Sequence, residues 1–266
     1  MKRVLFSVTL IVLSLATLGR AQTAAEANKN QYVGIVSPDS TTTCTYPFTA
    51  GTGNAFIKYC VTKNGNIIQF ASPSGFEYIS KAPAGEGYGF CDFDSETQYF
   101  DYAGYGDSGN WQAPVKVSSS KTAVKISRKT IDGKFTLVQT ITLVPANILA
   151  QVQMSITNNT TTSAHIGLLR YADVDVRNES NNSFDYTSRT AFGYFTGNFG
   201  LTLRFSSGYA LNGGFTQDIP GGPNPCNIFL HVVAPLSNTD GSIFMQYDMK
   251  LAKKATGNVT VQYRSF

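Results

Sequence analysis

The chain has 266 residues, with 21 Lys and Arg against 17 Asp and Glu, 12% aromatic side chains and four cysteines. That length suits one large domain or two small ones with a real core. Lys2, Arg3 and Arg20 lie at the extreme N-terminus; without them 18 cations face 17 anions, a net charge near +1, with no basic stripe of the kind a nucleic-acid partner requires.

Lys2 and Arg3 precede an uncharged, mainly apolar run from Val4 to Leu18, followed by the small-residue exit Gly19-Arg20-Ala21 and the polar stretch Gln22 to Gln31. This is the plan of a secretory signal peptide, residues 1–21, cleaved near Ala21. The apolar run is about 15 residues, short of the roughly 20 that a spanning helix needs, so no stable membrane insertion is expected. The expected location is secreted or periplasmic. A polar N-terminal segment, 22–43, crowded from Ser37 to Thr43 and broken by Pro38, leads into a domain over 44–266. The only helix expected after the leader is a short one around Ala24–Asn28.

Cys44, Cys60, Cys91 and Cys226 all follow the leader and are even in number, which predicts two disulfides in an oxidising compartment. Three pairings are open. Proximity favours Cys44–Cys60, leaving Cys91–Cys226 to join distant segments. A zinc site is the rival reading, but there is no C-x-x-C pair and the only histidines are His165 and His231.

Beyond residue 50 the apolar period is two. The first hairpin places Asn64-Gly65 between strands at Phe56–Thr62 and Asn66–Ala71. The glycine-rich stretch from Glu86 to Trp111 reads as irregular loops. A second hairpin places Asp132-Gly133 between Lys121–Thr130 and Lys134–Val144; there Phe135, Leu137, Ile141 and Leu143 alternate with threonines. Ile148, Ala150, Val152, Met154 and Ile156 alternate with Gln151, Gln153 and Ser155, and further strands are expected at 164–176, 190–196, 200–206, 226–234, 241–251 and 257–264. The expected fold is all-β, an antiparallel β-sandwich forming a single domain after the signal peptide. An outer-membrane barrel fits less well. The positions two, four and six before Phe266 hold Arg264, Gln262 and Thr260, and the apolar face is instead Val259, Val261 and Tyr263.

Two segments are candidates for chemistry. In Arg170-Tyr171-Ala172-Asp173-Val174-Asp175-Val176, side chains two apart share a strand face, so Tyr171, Asp173 and Asp175 project together. Two carboxylates on one face repel unless something intervenes. A cation is one answer, with Ca2+ the natural choice beside the oxygen-rich Asn178 to Asp185 stretch. Acid/base work on a glycoside is a second answer, although neighbours about 7 Å apart and pointing the same way are poorly placed to flank a bond. Pairing to Arg177 or Arg189 is the structural answer. The second segment, Glu86 to Trp111, combines six carboxylates with eight aromatic rings, among them Tyr102, Tyr105 and Trp111, and contains no Lys or Arg. Carboxylates can hydrogen-bond sugar hydroxyls and flat rings can stack on sugars, although strand aromatics also simply fill cores. There is no nucleophile elbow, phosphate loop or dinucleotide fingerprint, and both histidines read as structural.

Asn64-Gly65-Asn66-Ile67-Ile68-Gln69-Phe70-Ala71-Ser72-Pro73 resembles the opening hairpin of galactose-mutarotase-like supersandwich domains. Ile156-Thr157-Asn158-Asn159-Thr160, followed by His165-Ile166-Gly167-Leu168-Leu169-Arg170-Tyr171, resembles their central strand–turn–strand. The resemblance implies the fold and a carbohydrate ligand. It does not imply mutarotation: Arg170 stands where those enzymes place a histidine, and the last glutamate, Glu179, is too early to be their base. The leading expectation is an exported, non-catalytic module that binds a glycan or cell-surface polymer through Arg170, Tyr171, Asp173, Asp175, Tyr102, Tyr105 and Trp111. A carbohydrate hydrolase or lyase using Asp173 and Asp175, and a structural or adhesive surface protein, are the alternatives.

Overall fold

The computed structural model describes residues 42–73, 75–79, 85–187, 189–195, 199–217, 222–228 and 235–266. The leader, most of the polar segment, the short helix expected at Ala24–Asn28 and His231 lie outside them.

Among the described residues, eighteen strands form three antiparallel sheets. In chain order they are β1 (Tyr46–Ala50), β2 (Ile57–Val61), β3 (Ile67–Ala71), β4 (Gly87–Asp92), β5 (Thr97–Tyr102), β6 (Gly106–Asp107), β7 (Val115–Ser119), β8 (Ala123–Lys129) and β9 (Phe135–Val144). There follow β10 (Leu149–Asn158), β11 (Ala164–Asp173), β12 (Asn182–Thr187), β13 (Thr190–Phe195), β14 (Phe199–Ser207), β15 (Ala210–Gln217), β16 (Leu236–Thr239), β17 (Gly241–Leu251) and β18 (Thr256–Ser265). One sheet runs β16-β12-β13-β14-β18-β10-β9-β8-β7, a second β15-β17-β11-β4-β5-β6, and a small third β1-β2-β3. The large sheets end in open edges rather than closing into a barrel, and no helix among the described residues is long and apolar enough to cross a membrane.

Alternation builds the sandwich. On β9, Phe135, Leu137, Gln139, Ile141 and Leu143 point inward while the threonines between them stay half-exposed. On β11, Ile166, Leu168 and Ala172 join the same core, whereas Leu169 and Tyr171 face outward. Both expected hairpins form, with Gly65 (φ 98°) and Gly133 (φ 73°) supplying the left-handed turn residues. Both favoured disulfides form, Cys44–Cys60 and Cys91–Cys226, as suits an oxidising compartment.

Two expectations are corrected. The stretch from Glu86 to Trp111 is mainly strand, β4 to β6, rather than loop. Its glycines serve close packing: a Cβ on Gly89 would stand 2.8 Å from Phe100 Cβ and 3.1 Å from Pro225 Cγ. The strand expected at 226–234 is not seen in its described part, where residues 225–227 form a turn. This segment lies over the outer face of the six-stranded sheet, held by Cys91–Cys226 and by Gln246, which donates to Pro225 O (2.6 Å).

Candidate functional site

The two candidate segments meet at one end of the six-stranded sheet. Tyr105 donates to Asp173 Oδ2 (3.2 Å), the rings of Tyr102 and Tyr171 pack 5.4 Å apart, and the Tyr171 hydroxyl bonds Ser242 Oγ (2.7 Å). Asp173 ends β11, Asp175 follows two residues later, and Asp240 lies in the turn between β16 and β17. One carboxylate oxygen from each of these three lies within 4.8 Å of the others, with Asp173 buried and Asp240 exposed. Hard oxygen donors converging on one point suit a cation such as Ca2+ completed by water. Asp240 was not legible as a partner because only the β12–β16 and β11–β17 pairings carry it there.

Four of the residues read from the sequence as ligand contacts, Tyr102, Tyr171, Arg170 and Trp111, are buried. Tyr102 and Tyr171 are fully buried: the 222–228 segment covers their face, with Gly222 against the Tyr102 ring. Arg170 and Trp111 belong to the core between the sheets. Arg170 is wholly buried, donating from Nε to Glu86 Oε1 (2.8 Å) and to the Tyr263 hydroxyl (2.8 Å), from Nη1 to Gln139 Oε1 (2.6 Å) and from Nη2 to Gly65 O (3.2 Å). Tyr263 in turn donates to Glu86. Trp111 donates to Phe100 O (3.1 Å), and its ring lies 5.2 Å from the Arg128 guanidinium.

Arg128 anchors a second buried network, pairing with Asp101, which also accepts from Asn64 Nδ2 (2.7 Å). Burial pushes the Asp101 carboxyl up to about 6 against the pull of Arg128, and pushes Glu86 up against the pull of Arg170. These networks fasten the tip of the β2–β3 hairpin between the sheets. Their four charged members, Glu86, Asp101, Arg128 and Arg170, are all buried.

The fold gives His165 a partner that the sequence did not reveal: its Nε2 lies 2.6 Å from Asp248 Oδ1, and its ring lies 4.9 Å from Phe93. His165 stands opposite Lys250 where β11 pairs with β17, on the half-exposed rim of the six-stranded sheet.

The open surface lies elsewhere, on the outer face of the nine-stranded sheet. A cavity of about 630 Å³ is lined by Thr187, Arg189, Thr190, Phe192, Thr202, Arg204, Arg264, Ser265 and Phe266. A second, of about 220 Å³, shares Thr202, Arg204 and Arg264 and continues to Gln262, Gln151 and Asn147. Together they form one groove across β13, β14, β18 and β10. Strand register explains its lining: Thr190, Arg204, Gln262 and Gln151 stand opposite one another across four strands, and Phe192, Thr202 and Arg264 form the next row. At about 4.8 Å per strand, these four strands span roughly 14 Å. Sequence reasoning passed over these residues because a polar side chain alternating with Leu201, Leu203, Val261 and Tyr263 looks like an ordinary solvated face.

No protein-family model matches the chain, and no curated protein matches it. Solved structures do. A bacterial glucoamylase complexed with acarbose superposes with a TM-score of 0.54 at 11% identity, over 87% of this chain and 34% of that one. Heparinase III gives 0.49 at 12% identity, over 82% and 35%. A galactose mutarotase related enzyme from Lactobacillus acidophilus gives 0.44 at 11% identity, over 83% and 97%. The chain thus spans about a third of the glucoamylase. The likeness is one of fold, an all-β antiparallel sandwich.

Proposed function

We propose that this is an exported module that binds a glycan or cell-surface polymer on the outer face of its nine-stranded sheet without transforming it. The observation that carries the reading is the groove. It is open, roughly 14 Å long by strand count, walled by Phe192 and Phe266, and floored by hydroxyl and amide groups of Thr202, Gln151 and Gln262. Flat apolar walls with a few convergent polar groups suit a saccharide, whose ring faces are apolar and whose rim is hydroxylated. Export is supported by the leader and by the two disulfides. The test is a binding screen against soluble glycans, with hydrogen exchange of the bound protein. Protection over β13, β14 and β18 supports the reading; absence of binding to any glycan removes it.

A second reading, from the convergence of Asp173, Asp175 and Asp240, is that a cation such as Ca2+ binds at the far end of the other sheet. On this reading the cation fastens the end of β11 to the β16–β17 turn.

A further inference from the structure

We propose that the groove is selective for an acidic glycan, whose carboxylates are held by Arg204 and Arg264 with Arg189 at the margin. This rests on the glycan-binding reading of the same groove and names its ligand class.

The argument begins with charge. Three arginines line the 630 Å³ cavity, and neither cavity is lined by an acidic residue. Among the described residues, none of the three guanidinium groups has a carboxylate within ion-pair distance; the ion pairs belong to Arg128, Arg170, Lys134 and His165. Arg177 is held differently, stacked 3.9 Å from the Phe76 ring and 3.4 Å from Phe199. The three groove arginines thus have no carboxylate partner among the described residues, Arg189 lying 5.8 Å from the Phe205 ring, and the chain without Lys2, Arg3 and Arg20 is near neutral.

Their spacing follows from register. Arg204 stands opposite Gln262 and Arg264 opposite Thr202, so the two arginines are diagonal neighbours on adjacent strands, about 7–8 Å apart at the backbone. Like charges so placed repel, and an anion between or along them relieves the repulsion. A guanidinium also presents a planar fork of donors that matches a carboxylate in two parallel hydrogen bonds.

The rest of the lining favours a saccharide as the bearer of that charge. Gln262 donates to Gln151 (3.2 Å), leaving further amide hydrogens and oxygens on the groove floor to meet hydroxyls. The Phe192 ring supplies a flat face in the row beside Arg204. A ligand repeating both a carboxylate and hydroxyls at each unit uses both rows.

The experiment compares oligogalacturonate with its carboxyl-reduced, neutral counterpart. Binding is measured to the wild type, to the Arg204→Gln/Arg264→Gln double variant and to the Arg204→Lys/Arg264→Lys double variant. The expected result is at least tenfold tighter binding of the acidic oligomer by the wild type, weakening as salt rises. The Gln variant is expected to lose this preference while keeping its melting temperature. The Lys variant is expected to retain part of the preference, because charge survives but the fork geometry does not. Equal binding of the two oligomers overturns the acidic class and leaves the glycan reading standing. No binding of either, with none in the broader screen, removes that reading as well. A preference unchanged in the Gln variant overturns the site. Tighter binding of single-stranded nucleic acid than of any acidic glycan overturns the ligand class.

Discussion

Tyr105 and Asp173, 68 residues apart in the chain, meet through a 3.2 Å hydrogen bond at the end of the six-stranded sheet. The contact ties the loop after β5 to the last residue of β11, beside Asp175 and Asp240. A hydroxyl on one flank of a carboxylate triad fixes the orientation of Asp173 and so fixes the point on which the three oxygens converge.

If that point holds Ca2+, the metal binds the folded state alone and raises its stability. At a hundred times its dissociation constant the gain is about 2.7 kcal/mol. For a chain of this size that corresponds to roughly 5–10 °C in melting temperature. Thermal melts with Ca2+ and with a chelator are expected to differ by this amount in the wild type and to coincide in Asp173→Asn. Coincident melts for the wild type would sink the cation reading.

The Asp101 carboxyl sets a pH dependence of known sign. Burial holds it at about 6 in the folded protein against an ordinary 3.8. Between those values the folded state binds more protons than the unfolded at this group, so the contribution of Asp101 to stability is greatest below pH 4 and declines as pH rises to 6. Integrated over the window, the decline is up to about 3 kcal/mol. Asp101→Asn keeps the shape and cannot titrate. The unfolding free energy of wild type minus variant is expected to fall from pH 4 to 7 and flatten above; parallel profiles would show that Arg128 holds Asp101 ionised throughout.

Much of the frame was legible, and the exceptions share a cause. The Asn64-Gly65 and Asp132-Gly133 turns, the alternation on β9 and β10, and the pairing of the cysteines are local or nearly local signals, and each is realised. So is the proximity of Asp173 and Asp175. Arg170 was misread although its parity with Leu168 and Ala172 puts it on the core face. A buried guanidinium requires a carboxylate, and nothing local points to Glu86, which lies 84 positions earlier. The glycines at 87 and 89 were misread as loop because glycine weakens strands in isolation. Their use becomes visible only when a neighbouring segment packs on them. The groove was illegible for the opposite reason: each residue is ordinary on its strand, and only the register of β13, β14, β18 and β10 assembles them.

Breaking the Arg170–Glu86 pair strands a charge in the core. Both side chains are fully buried, and Tyr263 and Gln139 complete the network. Removing one partner from such a pair costs about 3–5 kcal/mol. Glu86→Leu and Arg170→Met are each expected to lower stability by that amount in denaturant melts. The double variant Glu86→Leu/Arg170→Met is expected to lose less than the sum, because neither charge is left behind. Additive losses would mean that the two side chains stabilise the core independently.

The Cys91–Cys226 bridge is expected to matter more than Cys44–Cys60, both globally and for the covered face. It closes a separation of 135 residues against 16. Chain entropy assigns the longer loop about 5 kcal/mol and the shorter about 3 kcal/mol. The longer bridge also holds the 222–228 segment over Tyr102 and Tyr171, a contact otherwise secured by Gln246 and by the close approach of Pro225 to Gly89. Cys91→Ala/Cys226→Ala is therefore expected to lose hydrogen-exchange protection first over 222–228 and β5, at denaturant concentrations where β9 and β10 remain protected. Cys44→Ala/Cys60→Ala is expected to loosen only β1 and β2. If the first variant keeps its 222–228 protection, Gln246 and the apolar contacts hold the segment unaided, and Tyr102 and Tyr171 stay inaccessible whatever the redox state.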